Sequence, residues 1–144
     1  MQLTRYTDYA LRTLTYLAVQ PDDRLSTSAD ICEAFALKKN HVSKIVHHLA
    51  LAQLIETRRG KGGGFRLNRA SLERPLGALI SMLEGDAALI DCHTPICAIE
   101  PQCQLKHLLA GAQQAFYDYL DQYSLADLVA PKSELIRLLA IDIT

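Results

Sequence analysis

The chain has 144 residues, enough for one compact domain with an appended element and too few for two ordinary independent domains. A hydrophobic fraction of 49% with 22% charged residues excludes a largely disordered protein and predicts one shared core. Asp8 and Arg12 interrupt the apolar residues near the start, which argues against a signal-peptide core or membrane span there and leads us to expect a cytoplasmic protein.

The formal net charge of −1 conceals an asymmetry. Residues 1–74 carry 12 Lys and Arg against 7 Asp and Glu, whereas residues 75–144 carry 3 against 9. Within the first part, residues 38–69 hold eight basic side chains and a single acid, Glu56. That density reads as a phosphate footprint or, on charge alone, as a solvated basic face.

In residues 4–19, Tyr6, Ala10, Leu14 and Leu17 recur at spacings of three and four, the stripe of an amphipathic helix with Asp8 and Arg12 off it. Pro21, Asp22 and Asp23 stop that helix. Thr27-Ser28-Ala29-Asp30 fits a capping box and opens a short second helix, to about Ala36. A third helix follows Leu37, with Val42, Ile45, Val46 and Leu49 turned inward and Asn40, Ser43, Lys44, His47 and His48 outward. Leu54–Thr57 and Phe65–Leu67 read as short strands around Arg58-Arg59-Gly60-Lys61-Gly62-Gly63-Gly64, a basic hairpin. Three short helices and a glycine-tipped hairpin are the parts of a winged helix-turn-helix, whose third helix enters the major groove of double-stranded DNA.

Pro75 suits the first turn of a helix to about Glu84, with Gly85 placed to end it. Residues 86–102, containing Pro95 and Pro101, read as an irregular loop. From Cys103 to Tyr123 an apolar stripe of Leu105, Leu108, Leu109, Ala112, Phe116, Tyr119, Leu120 and Tyr123 marks a long amphipathic helix. It pairs either with its twofold mate, giving a homodimer, or with the helix at 75–84 alone. The fold class is therefore mainly α with a small β-hairpin wing. Residues 1–74 form the winged helix-turn-helix DNA-binding region, and residues 75–144 contain the cysteine loop, about 86–103, and the dimerisation helix.

Reducing conditions argue against disulfides among the four cysteines. Cys92, Cys97 and Cys103 have the spacing C-x4-C-x5-C in the proline-containing loop, and three soft thiolates there suit an iron–sulfur cluster, a zinc ion, or no metal at all. The gaps are wider than those of ordinary zinc knuckles and do not continue as ferredoxin spacing does. Asp8, Cys32, His93 and His107 are candidate fourth ligands, although Cys32, beside Ile31 and Phe35, reads as a small core residue. Lys38, Lys39 and Lys44 suit phosphates, Asn40 can pair with adenine, and His41 and Ser43 share that face. Arg58, Arg59 and Lys61 suit the minor groove or backbone, and Gly62 and Gly63 allow close approach of main chain to phosphate. No nucleophile, base and orienting group are set together, which argues against an enzyme.

Several segments together resemble the winged-helix iron–sulfur repressor family that includes the NsrR and IscR types. They are the opening Leu3-Thr4-Arg5-Tyr6-Thr7-Asp8-Tyr9-Ala10-Leu11-Arg12, the Arg58–Gly64 wing, the three cysteines and Leu125-Ala126-Asp127-Leu128-Val129. The match is closest to the nitric-oxide-sensitive NsrR type. The resemblance implies a cluster, 4Fe-4S rather than 2Fe-2S, held by Cys92, Cys97 and Cys103 and by Asp8 of the partner subunit, with His107 in reserve. It implies a homodimer on a palindromic operator, with nitric oxide as the signal and no membrane. IscR-type relatives use a histidine three residues after the last cysteine. Here that position is Lys106, and His107 is displaced by one. An IscR-like sensor of cluster status and a zinc-stabilised DNA module are the alternatives.

Overall fold

The computed structural model describes residues 2–85 and 87–142; Asp86, at the start of the expected loop, and the last two residues lie outside them. The winged portion runs α1 (Arg5–Val19), α2 (Ser28–Phe35), α3 (Lys39–Leu51), β1 (Ile55–Arg58) and β2 (Gly64–Leu67). Thr4 caps α1 by accepting the Thr7 amide. Thr27 and Asp30 form both halves of the capping box that opens α2. α2 ends at Ala36, which adopts a left-handed conformation with φ of 53°, and the carbonyl of Cys32 receives the amides of Ala36 and Leu37. An alanine pays about 1–2 kcal/mol for that conformation, a cost met by closing the tight turn into α3.

The two strands pair antiparallel, with Ile55 opposite Leu67 and Arg58 opposite Gly64. Alternation turns Phe65 and Leu67 inward and leaves Arg66 outside. Phe65 also exchanges both backbone hydrogen bonds with Ser26, at 2.8 Å each, so the segment before α2 serves as a third rung that anchors the wing.

A 3-10 turn (Arg69–Glu73) leads to α4 (Leu76–Glu84). Pro75 occupies the N-cap position rather than the first turn, and Gly85 ends the helix as expected. Beyond the loop, which includes a second 3-10 turn at Glu100–Gln102, come α5 (Gln104–Leu120), α6 (Leu125–Leu128) and α7 (Lys132–Leu138). Neither α6 nor α7 is expected from the sequence pattern. Both return to α1, and Leu125, Val129 and Ile141 join Leu14, Leu17, Ile31, Ile45, Leu49 and Leu79 in one apolar core. Each fully buried leucine or isoleucine there contributes about 1.5–3 kcal/mol, so the end of the chain helps to hold the DNA-reading unit together.

α5 lies against α4 and buries none of its residues completely. Leu105, Leu108 and Tyr119 are 57%, 70% and 59% exposed, whereas Leu109, Phe116 and Leu120 are half-buried and Leu120 packs against the core, so the apolar stripe divides between packing within the chain and an open outer edge.

Candidate nucleic-acid interface and cysteine loop

The inward triad Val42, Ile45 and Leu49 seats α3 against the core and dictates that Lys39, Asn40, His41, Ser43 and Lys44 point away from it, all exposed, with Lys38 exposed at the N-cap. α1 braces this helix at two places. Tyr9 stacks on His41 with ring centroids 6.1 Å apart, and the Tyr6 hydroxyl lies 3.0 Å from His48 Nδ1.

The eight cations of residues 38–69 divide into two groups. Arg66 pairs with Glu56 at 2.8 Å. Arg69 pairs with Asp22 and donates to the carbonyls of Ala18 and Gln20 at 3.2 and 2.9 Å, closing the end of α1. Both are thus engaged within the chain. Among the described residues Lys38, Lys39, Lys44, Arg58, Arg59 and Lys61 make no ion pair, and all six are exposed. Six exposed cations thus stand without an ion pair, on the lip of α3 and on the wing. In the wing, Gly62 has φ of +72°, and a Cβ on Gly63 would lie 2.3 Å from the Arg58 carbonyl, so the turn itself requires glycine there before any phosphate is considered.

Neutralising Lys44 to alanine is expected to weaken binding to all duplexes alike and to lower the salt slope of log K by about one unit, the signature of one lost phosphate contact. Titrations at several salt concentrations check this, and an unchanged slope removes Lys44 from the footprint.

The cysteine loop is built by successive backbone turns. The Cys97 amide donates to the Cys92 carbonyl at 3.1 Å, Glu100 to Cys97 at 3.1 Å and Cys103 to Glu100 at 3.3 Å. Asp91 Oδ1 receives the amides of His93 and Thr94, and these hydrogen bonds hold its carboxyl below the ordinary aspartate range. Cys92 and Cys103 are buried and Cys97 is half-buried; all four cysteines are free thiols. The donor set suits a soft metal group, because three thiols share one short loop with its backbone fixed. Among the described residues, however, no three His, Cys, Asp or Glu side chains stand close enough to hold a metal ion. The single chain therefore gathers the thiols without closing the cage expected from their spacing.

The expected fourth ligands lie apart from one another. Asp8 sits on the first turns of α1 in a bidentate pair with Arg12, both bonds 2.9 Å, with its side chain 43% exposed. His107 is exposed on the first turn of α5, and His93 is exposed within the loop. Cys32 is half-buried against the core, as its neighbours indicated.

One connection had no signal in the sequence. Glu84, at the end of α4, accepts from the Thr4 amide and hydroxyl at 2.8 and 2.9 Å. Burial pushes its carboxyl upward, and the hydrogen bonds from Thr7 and Thr4 outweigh this and hold it low. The helix bearing Asp8 is thereby tied to the last residue of α4, which leads through Gly85 into the cysteine loop. The partners are 80 positions apart, beyond the reach of any local pattern.

A helical reading head with free cations, a glycine-tipped wing and a separate thiol loop define a winged-helix DNA-binding regulator. The family of iron-dependent transcriptional regulators called Rrf2 matches residues 3–131, and the chain belongs to it. Two full-length relatives are HTH-type transcriptional regulators NsrR. That of Oceanobacillus iheyensis is 38% identical, with 99% of each chain covered; that of Halalkalibacterium halodurans is 40% identical, covering 98% of this chain and 99% of its own. The chain is accordingly an NsrR-type member of the Rrf2 family. Its fold matches the oxidised form of Staphylococcus aureus CymR at a TM-score of 0.71 and 26% identity, over 90% of this chain and 97% of that one. It also matches T. potens IscR at a TM-score of 0.70 and 21% identity, covering 94% of this chain and 90% of that one, a likeness of fold alone. No helix among the described residues is long and apolar enough to cross a membrane.

Proposed function

We propose that this transcriptional regulator is a cytoplasmic, homodimeric repressor that senses nitric oxide through an iron–sulfur cluster of the 4Fe-4S type and releases a palindromic operator in response. The observation that carries the reading is the loop of three cysteines between α4 and α5, with two of its thiols buried and its backbone closed by consecutive turns. In this reading Cys92, Cys97 and Cys103 hold the cluster through thiolates, and Asp8 of the partner subunit donates the fourth ligand, with His107 in reserve. When bound, the cluster supplies iron at which nitric oxide displaces ligands.

The chain's own residues do the rest. The exposed stripe of α5 joins two copies, because an apolar face of that length needs a partner. Lys38, Lys39, Lys44, Arg58, Arg59 and Lys61, with the backbone at Gly62 and Gly63, hold phosphates, while Asn40, His41 and Ser43 present polar groups to base edges. Asp8 exchanges its Arg12 partner for the neighbouring subunit's loop. Because Asp8 and the α3-bracing Tyr6 and Tyr9 share α1, holding Asp8 fixes the spacing of the two α3 helices on half-sites one helical turn apart. Losing that hold lowers DNA affinity without touching a DNA-contacting residue.

The test is anaerobic purification, iron and sulfide analysis, and nitric-oxide titration with a palindromic duplex present. Wild type is expected to be brown and to release DNA. Asp8→Ala is expected to keep a coloured cluster with altered circular dichroism and to bind the operator at least tenfold more weakly. A colourless zinc protein sinks the cluster reading, and an Asp8→Ala protein identical to wild type in spectrum and DNA release excludes Asp8.

A further inference from the structure

Residues 75–144 are acidic, and Lys106 is the single Lys or Arg between Gly85 and Pro131. It stands on the first turn of α5, three residues after Cys103, and its ammonium is paired with Glu100, which lies in the turn between Cys97 and Cys103. Lys106 also lines, with Cys92, His93, Asp91 and Leu109, a cavity of about 430 Å³ beside the loop. The one Lys or Arg of this stretch thus lines the same cavity as Cys92, with its side chain 40% exposed and paired to the turn that joins Cys97 to Cys103.

The hydrogen bond to Glu100 raises the Lys106 pKa above the ordinary lysine range against the opposing effect of burial, and the charges of Glu100, Cys92 and Cys103 act in the same direction. Such an ammonium has three donors and no lone pair, so it is not a metal ligand. Its effect on neighbouring thiolates is electrostatic. Three cysteine thiolates and a carboxylate ligand would outweigh the positive charge of an iron–sulfur core and leave the site net negative, and Glu100 stands beside it; that excess negative charge disfavours any further electron unless a cation is near.

We propose that Lys106 is a positioning cation that offsets the charge of the Cys92, Cys97 and Cys103 ligand set, with Glu100 setting how much of its charge the thiolates receive. The inference rests on the cluster reading above. A nearby cation stabilises the reduced, more negative state, so its removal lowers the reduction potential and removal of Glu100 raises it. A structural role for the pair predicts something different: either substitution breaks the same contact and moves the cluster's properties in the same direction.

The experiment is an anaerobic spectroelectrochemical titration of the full-length reconstituted protein as wild type, Lys106→Gln, Lys106→Arg and Glu100→Gln. We expect Lys106→Gln to shift the midpoint negative by about a tenfold change in the reduced fraction, ~59 mV for one electron. Glu100→Gln should shift it positive, and Lys106→Arg should stay near wild type. An unmoved midpoint in a loaded Lys106→Gln protein, or shifts of one sign in both neutral variants, overturns the proposal. Should Lys106→Gln not load while wild type does, the sign found for Glu100→Gln decides: positive supports the proposal and zero or negative overturns it. A wild-type chain that takes up no iron and sulfide overturns the cluster reading itself, an outcome separable from the others.

Discussion

Alanine at Cys92, Cys97 or Cys103 is expected to abolish stable iron–sulfur binding and, with it, the response of DNA binding to nitric oxide, while alanine at Cys32 leaves both intact. The three loop thiols are joined by consecutive backbone turns and two of them are buried, so each removed sulfur leaves an incomplete set that its neighbours on a fixed backbone cannot replace. Cys32 instead packs against the core from α2, and its carbonyl, not its sulfur, does the visible work of closing that helix. Its substitution costs about 1 kcal/mol of stability. Iron and sulfide per protomer after anaerobic reconstitution, with far-ultraviolet circular dichroism to verify folding, checks both halves. A folded but colourless Cys32→Ala protein moves Cys32 into the site, and a fully loaded Cys97→Ala protein removes Cys97 from it.

What was legible in the sequence was what short range decides. The Thr27–Asp30 capping box, the inward set Val42, Ile45, Val46 and Leu49, and the alternation of Phe65 and Leu67 all rest on spacings of at most four residues, and each forms, with Val46 half-buried beside its three buried companions. The hairpin's glycines were legible as a turn, whereas the Ser26 rung that anchors the hairpin joins segments far apart in sequence. α6 and α7 were missed because helices of four and seven residues are too short for a period to emerge. Even so, Ser124 and Asp127 form a capping box of the same pattern as Thr27 and Asp30, and that signal was present to be used. In the candidate site, charge counting found the basic stretch but could not separate Arg66 and Arg69, whose partners Glu56, Asp22, Ala18 and Gln20 only folding brings near. Spacing found the three cysteines, and it could not show that the chain's sole cation in that region leans on Glu100 beside them.

Gly77→Ala is expected to be among the most disruptive single methyl additions in the chain, because α4 and α5 touch through that glycine. A Cβ placed there would lie 2.0 Å from the backbone carbonyl oxygen of Tyr117 and 2.6 Å from Asp121 Oδ1, and a helix backbone cannot yield as a side-chain tip can. The same contact serves the start of α4. Pro75 provides no side-chain cap, and Asp121 Oδ1 reaches across from the end of α5 to accept the Ala78 amide at 2.7 Å. Making room for the methyl group therefore moves α5 outward and breaks this interhelical cap as well. Overpacking of this kind costs about 1–3 kcal/mol, and loss of the cap about 1 kcal/mol more. Helix propensity acts in the opposite direction, since alanine is favoured over glycine in a helix, by at most about 1 kcal/mol at this first-turn position, so a net loss of stability isolates the steric clash. Denaturant unfolding of the metal-free protein checks the prediction, with Asp121→Ala alongside to measure the cap alone: Gly77→Ala should lose clearly more than Asp121→Ala. Because α5 also carries Cys103 at its start and the exposed Leu105, Leu108 and Tyr119 stripe, its displacement should additionally raise the dimer dissociation constant seen by sedimentation. An unchanged or raised unfolding midpoint for Gly77→Ala would show that the two helices separate at little cost.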